Sequence, residues 1–247
     1  MSYTENIKWF DTIDSTNNQL LIDKANLPDK SVYAALFQTA GKGQRGNKWE
    51  SRSGENLTFS VLFRPTDIAS NQQFTISQAV ALGIVDYLAE KSLIAKIKWP
   101  NDIYICDLKI CGILIENTIS NDKLTYSVAG AGINLNQTKF DSNAPNPTSV
   151  ALLKGTADYS PVDELPQVLK HIFRHYDALQ HGETQEIAQR YTDILYRRGE
   201  QHRYFDCIDN KEVTASITGI DEAARLLLTL SDGSTKSYAF KELKYIL

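Results

Sequence analysis

The sequence predicts an α+β protein in which helices pack on a mixed, mostly antiparallel sheet, followed by a small C-terminal β-barrel. Two observations predict the sheet and its helices: short strand-like segments at hairpin spacing, and apolar residues at three- and four-residue intervals. A third predicts the barrel, because the pattern changes after Arg198 to short alternating strands. We therefore predict a main domain at 1–197 and a small β domain at 198–247.

Composition places the chain among globular proteins. It has 247 residues, a net charge of -4, 42% hydrophobic and 23% charged residues, which is ordinary for a packed domain with a small appendage. The charge gives no general attraction to nucleic acid, and neither a leader pattern nor a membrane-length apolar run stands out. We expect a cytoplasmic location, no nucleic-acid or membrane partner, and free, buried thiols at Cys106, Cys111 and Cys207.

The main domain begins with two predicted strands, at 32–40 and 56–65, that are rich in valine, leucine and aromatic residues. A polar, glycine-bearing loop separates them. The next segment, from about Asn71 to Lys91, has the periodicity of a buried helix that covers one face of the sheet. Four short strands follow between Ala95 and Leu135, and their close spacing predicts antiparallel pairing.

Helical periodicity returns at 162–179 and 183–198, after an irregular polar loop from Asn143 to Pro147. The C-terminal region then shows short strands at 212–221, 224–233 and 234–240, with a hairpin signal at Asp232 and Gly233. This pattern is typical of a five-stranded barrel of about fifty residues.

Five segments carry residues suited to binding or catalysis. The loop from Gln38 to Trp49 combines three glycines with Lys42, Arg45 and Lys48. Backbone N–H groups and cations in such a loop suit phosphates, but a flexible loop with solvated charges explains the same residues. The loop matches neither a Walker motif nor a dinucleotide fingerprint.

The other four segments each admit a structural interpretation as well. In KWPNDI, Asn101 and Asp102 lie at the tip of a proline turn, and in DLKICGILIE, Lys109 begins a strand three residues before Gly112. In DSTNNQL, Ser15 or Thr16 is suited to cap a helix that runs toward Asp23. The segment GAGINLN permits close approach by a ligand or forms a bulge, and its four candidate residues are Gly130, Gly132, Asn134 and Asn136.

Together and in this order, the five segments resemble the catalytic core of biotin protein ligases, from about residue 8 to the C-terminus. KWPND followed by KICGILIE is the most specific part. The resemblance implies a core similar to that of class II aminoacyl-tRNA synthetases, with an SH3-like C-terminal barrel. It also implies that the main domain converts biotin and MgATP to biotinyl-5'-AMP and pyrophosphate, then transfers biotin to a lysine of a biotin carboxyl carrier protein domain.

The resemblance implies which residues of this chain bind the substrates and take part in catalysis. Lys109 and Arg45 are expected to stabilise the charge that develops when the biotin carboxylate meets the α-phosphate, and Asp102 to orient or deprotonate the acceptor lysine. The implied biotin-binding residues are Ser15, Thr16, Asn17, Gln38, Gly41, Lys42, Gly43, Gln44, Lys109 and Gly112. The implied ATP- and adenylate-binding residues are Arg45, Gly46, Trp49, Asn101, Lys109 and Asn134. The sequence shows no set of metal ligands for the expected Mg²⁺.

The chain departs from the family at Lys42, Gln44 and Asn47, where arginines are usual in the glycine-rich loop. The Gln44 position matters most, because the arginine that is usual there helps members of the family retain the reactive adenylate until the acceptor arrives.

Rival functions have weaker support. The first motif begins at Asp14, which leaves no room for an N-terminal helix-turn-helix of about sixty residues, so a DNA-binding repressor is disfavoured. A lipoate or octanoate protein ligase would show a triple-glycine motif that this chain lacks. A biotin-binding module without activity is disfavoured by Lys109 and Arg45. Both a monomer and a homodimer remain open.

Overall fold

A seven-stranded sheet dominates the computed structural model, which describes residues 6–141 and 146–246, apart from the side chain of Arg45. Its strand order is β1-β2-β3-β7-β6-β5-β4. Only the β1–β2 pair is parallel; every other neighbouring pair is antiparallel. The strands are β1 (Ile7–Ile13), β2 (Ser31–Gln38), β3 (Asn56–Phe63), β4 (Ala95–Lys98), β5 (Asp102–Ile105), β6 (Leu108–Ser120) and β7 (Lys123–Asn134).

Helices cover this sheet and enclose the main hydrophobic core. They are α1 (Thr16–Asp23), α2 (Phe74–Glu90), α3 (Val150–Lys154), α4 (Pro161–Gln180) and α5 (Thr184–Asp193). Most of α2 is buried, because it lies between the sheet and α4. A Cβ on Gly83 would lie 2.6 Å from backbone atoms of Ile172 in α4, so glycine allows these two helices to pack closely.

The C-terminal region forms a second, five-stranded sheet with strand order β11-β10-β9-β8-β12. Its strands are β8 (Gln201–Asp206), β9 (Lys211–Ile220), β10 (Leu226–Leu230), β11 (Thr235–Tyr238) and β12 (Leu243–Tyr245). All ladders are antiparallel, and within the described residues β11 and β12 are the sheet's two edges. Buried Tyr204 and Leu226 belong to the same continuous core as the main sheet.

The predicted fold class is confirmed, with a mostly antiparallel sheet, covering helices and a small C-terminal β domain. The boundary between 197 and 198 remains a prediction. Strand β1 and helix α3 were not predicted, and no strand was placed at β8 or β12. Of the polar loop predicted from Asn143 to Pro147, residues 143–145 lie outside the described residues. All three cysteines are free, but only Cys111 is buried as predicted. The prediction of burial is wrong for Cys106, which is exposed in the turn between β5 and β6, and Cys207 is half-buried.

One line of directly opposed residues crosses the main sheet and places small and charged residues on one of its faces. The line consists of Ala35, Thr58, Gly132, Gly112, Asp102 and Lys98. Directly opposed residues project on the same face of a sheet. The register therefore places two glycines, a carboxylate and an ammonium in sequence along one surface, at intervals of about 4.8 Å.

A cluster of charged side chains joins the helices that pack on the opposite face of the main sheet. Asp86 of α2, only 11% exposed, accepts hydrogen bonds from Arg174, His175 and Arg190. The bond to His175 is 2.8 Å long. Burial would raise the pKa of Asp86, but the hydrogen bonds from His175 and Arg190 outweigh it and hold this pKa well below its usual range. The carboxylate therefore joins α2 to both α4 and α5.

Replacing Asp86 by asparagine should lower the free energy of unfolding by about 2 kcal/mol at pH 7, since three charged or polar donors lose a carboxylate. Because the pKa is lowered in the folded protein, this stabilisation is complete above the unfolded value of about 3.9 and is lost as the pH falls further. Urea denaturation of wild type and Asp86→Asn at pH 7 and pH 3 measures both effects.

The exposed Asp158→Asn variant provides the control, with unchanged stability expected at both pH values. An Asp86→Asn difference that is absent at pH 7, or no smaller at pH 3, would contradict this role.

Candidate active site

A cavity of about 340 Å³ lies on the glycine-bearing face of the main sheet. Its walls come from the start of α1, the loop after β2, the turn between β4 and β5, the middle of β6 and β7, and the end of β12. The predicted site residues that line it are Ser15, Thr16, Asn17, Gln38, Lys42, Gly43, Gln44, Trp49, Asn101, Asp102, Lys109 and Gly112. The fold therefore brings together residues from four of the five sequence segments, and Gly130 and Gly132 add the fifth.

The start of α1 forms a buried polar turn at one end of the cavity. Ser15 is the N-cap and its hydroxyl accepts a weak bond from the backbone N–H of Asn18 at 3.4 Å. The backbone N–H of Thr16 donates to Gln38 Oε1 at 2.7 Å. The Thr16 hydroxyl lies 3.1 Å from the same oxygen and 2.7 Å from the hydroxyl of Ser60. Ser15 and Thr16 are each no more than 3% exposed, so these bonds fix their side chains.

The Asn17 amide is held from both ends. Its Nδ2 donates to Glu116 Oε2 at 3.0 Å and to the Leu114 carbonyl at 3.4 Å, while its Oδ1 accepts from Ser60. A Cβ on Gly130 would lie 2.2 Å from this Oδ1, so glycine on β7 makes room for the amide. Both Asn17 donors are used within the protein, and only the oxygen retains capacity for a ligand.

The remaining hydrogen-bonding capacity of the turn is divided between donors and acceptors. The hydroxyl protons of Ser60 and Thr16 are used within the network, so toward the cavity Thr16 and Asn17 act as acceptors. Ser15 retains its hydroxyl proton, and Gln38 Nε2 has no protein acceptor in the part of the chain that the structure describes. The turn therefore offers two donors beside two acceptors.

The centre of the cavity holds an ion pair above the glycines. Lys109 Nζ lies 2.7 Å from Asp102 Oδ1, and both side chains are 23% exposed. The indole of Trp49 covers the adjacent floor: Cβ atoms on Gly132 and Gly112 would lie 2.3 Å and 2.9 Å from it. Lys109 Nζ is 5.8 Å from the centre of the Trp49 ring. The glycines therefore accommodate an aromatic ring beside the cation.

The glycine-rich loop folds back over the cavity. The backbone N–H of Gly43 donates to the Asn47 carbonyl at 2.7 Å, and that of Trp49 to the Gly41 carbonyl at 3.0 Å. Gln44 Oε1 and Trp49 Nε1 are buried without a protein partner among the described residues, and such groups usually bind a ligand or water. The Arg45 backbone lies in a short 3₁₀ turn, but its side chain lies outside the described residues.

The far end of the cavity contains Lys98, which was not predicted as a site residue. Its Nζ donates to Tyr104 Oη at 2.9 Å and lies 4.9 Å from the centre of the Tyr245 ring. Burial lowers the pKa of Lys98 to about 8, and the neighbouring cations Lys109 and Arg197 act in the same direction, against a raising effect of Asp102. The Lys98 ammonium therefore loses its proton at a lower pH than an exposed lysine does.

Some predicted residues lie apart from the cavity. Gly41, Gly46 and Asn134 are not among its lining residues in the described chain, and Asn134 instead donates to the Thr148 carbonyl at 2.8 Å. Conversely, Ser60 on β3 and Glu116 on β6 bind residues of the polar turn, although no predicted site residue marked them. Strand β12 contributes Leu243, Lys244 and Tyr245, and no motif in the sequence marks this contribution.

The described residues contain no group of three or more histidine, cysteine, aspartate or glutamate side chains placed to hold a metal ion. No helix among them is long and apolar enough to cross a membrane.

Comparisons with known proteins identify a related family. Residues 9–134 match the model of the biotin/lipoate A/B protein ligase family. The chain is 30% identical to the bifunctional ligase/repressor BirA of Salmonella typhimurium over 94% of its own length and 72% of that protein. It is 36% identical to BirA of Escherichia coli over 54% of this chain but only 42% of that protein.

Among solved structures, the biotin protein ligase of Aquifex aeolicus in complex with biotin and ATP is similar over 98% of this chain and all of that one. The TM-score is 0.78 and the sequence identity 26%. The similarity therefore extends over both sheets.

Proposed function

The chain belongs to the biotin/lipoate A/B protein ligase family, and we propose that it is a biotin protein ligase. It activates biotin with ATP to biotinyl-5'-AMP and transfers the biotin to a lysine of a carrier protein. The observation that carries this proposal is the combination, in one cavity, of a polar turn suited to a cyclic urea and a cation suited to a carboxylate and a phosphate.

The polar turn matches the hydrogen-bonding groups of biotin. The ureido ring has one carbonyl and two N–H groups. The carbonyl pairs with the donors of Ser15 and Gln38, and the N–H groups pair with the acceptors of Thr16 and Asn17. In a buried site every unpaired polar group would cost about 1–3 kcal/mol, so the same arrangement disfavours the dithiolane of lipoate, which offers no N–H or carbonyl.

The centre of the cavity suits the first half-reaction. Biotin bound at the polar turn directs its carboxylate toward Lys109, where the α-phosphate must also lie. Lys109 lowers the repulsion between these two anions as they meet, and Asp102 holds its ammonium at 2.7 Å. MgATP is the substrate, and magnesium takes most of its ligands from phosphates and water.

We assign nucleotide contacts to the residues around the glycine floor. Trp49 presents its indole along Gly112 and Gly132, which suits stacking with adenine. Asn101, whose Nδ2 donates to the Ile113 carbonyl at 2.7 Å, borders the same space. Asn134 lies two residues after Gly132 on β7, on the same face of the sheet. Its Nδ2 donates to the Thr148 carbonyl, but its Oδ1 is buried without a protein partner among the described residues, so this oxygen remains to bind the nucleotide.

Asp102 also suits the second half-reaction. An acceptor lysine is almost fully protonated at neutral pH and cannot attack the mixed anhydride in that form. Asp102 Oδ1 binds Lys109, which leaves Oδ2 to orient the incoming ammonium and assist loss of its proton. The acceptor in this proposal is the biotin carboxyl carrier domain of a biotin-dependent carboxylase, encountered in the cytoplasm.

Purified protein with MgATP, labelled biotin and a biotin carboxyl carrier domain should form biotinyl-adenylate and then labelled carrier. Lys109→Ala should lower adenylate formation by at least about 100-fold, because no other described cation occupies the same position between the two anions. Separate quantification of adenylate and labelled carrier by chromatography measures the two steps.

Lys154→Ala, at an exposed position on α3, is the matched control and should retain full activity. Absence of adenylate in the wild type would reject the proposed function. Adenylate formation without transfer would retain the first step and reject the assigned carrier.

Gln44→Arg should lengthen the lifetime of the bound adenylate. Gln44 lines the cavity and its Oε1 lacks a protein partner among the described residues, whereas a guanidinium there would bind the adenylate phosphate with charge-assisted hydrogen bonds. Release of biotinyl-adenylate, followed without carrier, should slow by about 10-fold. Gln72→Arg, outside the cavity, provides the control, and an unchanged release rate in Gln44→Arg would contradict a retaining role for this position.

A further inference from the structure

The order of strands in the main sheet gives the first half-reaction a direction. The biotin-binding turn contacts Gln38 at the end of β2, Ser60 on β3 and Gly130 on β7. Lys109 belongs to β6, and β5 and β4 continue beyond it in that order. The carboxylate therefore approaches the α-phosphate from the β3–β7 side of the cavity.

Phosphoryl and nucleotidyl transfers place the attacking and leaving oxygens roughly in line. A biotin carboxylate oxygen forms a bond to the α-phosphorus, and the bond from that phosphorus to the α,β-bridging oxygen breaks. Pyrophosphate departs with that oxygen and its electron pair. With the carboxylate on the β7 side, the leaving group departs toward β5 and β4.

Lys98 stands at that end of the cavity. It directly opposes Asp102 across the β4–β5 ladder and lies in the same line as Gly112 and Gly132, two strands or roughly 10 Å beyond the glycine on β6. Its ammonium donates to Tyr104, and no carboxylate lies within ion-pair distance of it in the described chain. Asp102, the nearest candidate in the register, is bound to Lys109.

We propose that Lys98 binds the departing pyrophosphate and stabilises its developing charge during adenylate formation. This inference rests on the proposed function, because it needs the same cavity to hold ATP. Tyr104 positions the lysine through its 2.9 Å hydrogen bond, and the Tyr245 ring, 4.9 Å from Nζ, closes the end of the cavity. Two N–H groups of the ammonium remain for phosphate oxygens.

The charges around Lys98 agree with a site for an anion. Lys109 and Arg197 add positive charge, and Asp102 and Asp107 are the facing carboxylates. Lys109 pairs with Asp102 and Asp107 accepts a hydrogen bond from Tyr196; two cations therefore balance two carboxylates, and Lys98 itself supplies the net positive charge. Burial lowers the pKa of Lys98 to about 8, so a polyanion that restores the charged form would bind more strongly below this pH than above it.

The test separates the two half-reactions with Lys98→Met, Lys98→Arg and Lys96→Met. Lys96 lies on the same strand but is exposed outside the cavity, which makes it the matched control. One assay measures adenylate formation and its reversal by inorganic pyrophosphate with Mg²⁺. The other supplies chemically prepared biotinyl-adenylate and measures transfer to the carrier domain.

Lys98→Met should slow adenylate formation and raise the KM for pyrophosphate in the reverse reaction, each by about 10- to 100-fold. Transfer from supplied adenylate and the Kd for biotin should change by less than about twofold. Lys98→Arg should recover most of the loss, and Lys96→Met should resemble wild type.

Unchanged pyrophosphate kinetics in Lys98→Met would overturn the inference, and a selective loss of transfer would instead assign Lys98 to the acceptor. If Lys98→Met fails to fold, the pH profiles of wild type and Lys98→Arg decide. The KM for pyrophosphate should rise above pH 8 in wild type more than in the arginine variant, and identical profiles would overturn the proposal. A wild type that forms no adenylate rejects the proposed function, and with it this inference.

Discussion

The cross-strand register of the main sheet is the constraint on which the site depends. It places Gly132, Gly112, Asp102 and Lys98 directly opposite one another on four neighbouring strands. A shift of one residue in any ladder would turn these residues to the other face, where the helices pack. The two glycines then allow the Trp49 indole to lie against the sheet, and this contact sets the position of the glycine-rich loop above the cavity.

Residues of the same sheet also orient the polar turn at the start of α1. Ser60 and Glu116 have no direct part in the proposed chemistry, yet they orient the Asn17 amide from two strands. The protons of the Ser60 and Thr16 hydroxyls and both N–H groups of Asn17 are used inside this network, which fixes the arrangement of its donors and acceptors. That arrangement leaves specific atoms of Ser15, Thr16 and Asn17 for a ligand, so the proposed recognition of a ureido ring depends on residues that lie behind the binding surface.

Sequence patterns predicted the elements whose neighbours are close in the chain. The helix at α2 and the hairpins from β4 to β7 have strong periodicity and short connections. Strand β1 was missed, because it lies at an edge of the sheet and is only half buried, which weakens its apolar pattern. Cys106 was predicted to be buried, but it occupies a turn with a φ of 50°, a local geometry that composition does not reveal.

The sequence motifs predicted individual residues of the candidate site but not the contacts between them. Motif matching identified Lys109 and Asp102 but gave no reason to expect their ion pair. Lys98 lies within the KWPND motif, but its proposed role depends on its position opposite Asp102, which only the strand register shows. Tyr245 comes from a strand more than one hundred residues away in sequence, so its contact with Lys98 is a consequence of tertiary packing alone.

We propose that the hydrogen-bonding pattern around Thr16 and Asn17 selects a cyclic urea. Calorimetric titration of the purified protein with biotin and, separately, with lipoate tests it most directly. Saturable binding of biotin with no detectable binding of lipoate at the same concentrations is the predicted result. Equal affinity for the two acids, or preference for lipoate, would show that this pattern does not select a cyclic urea.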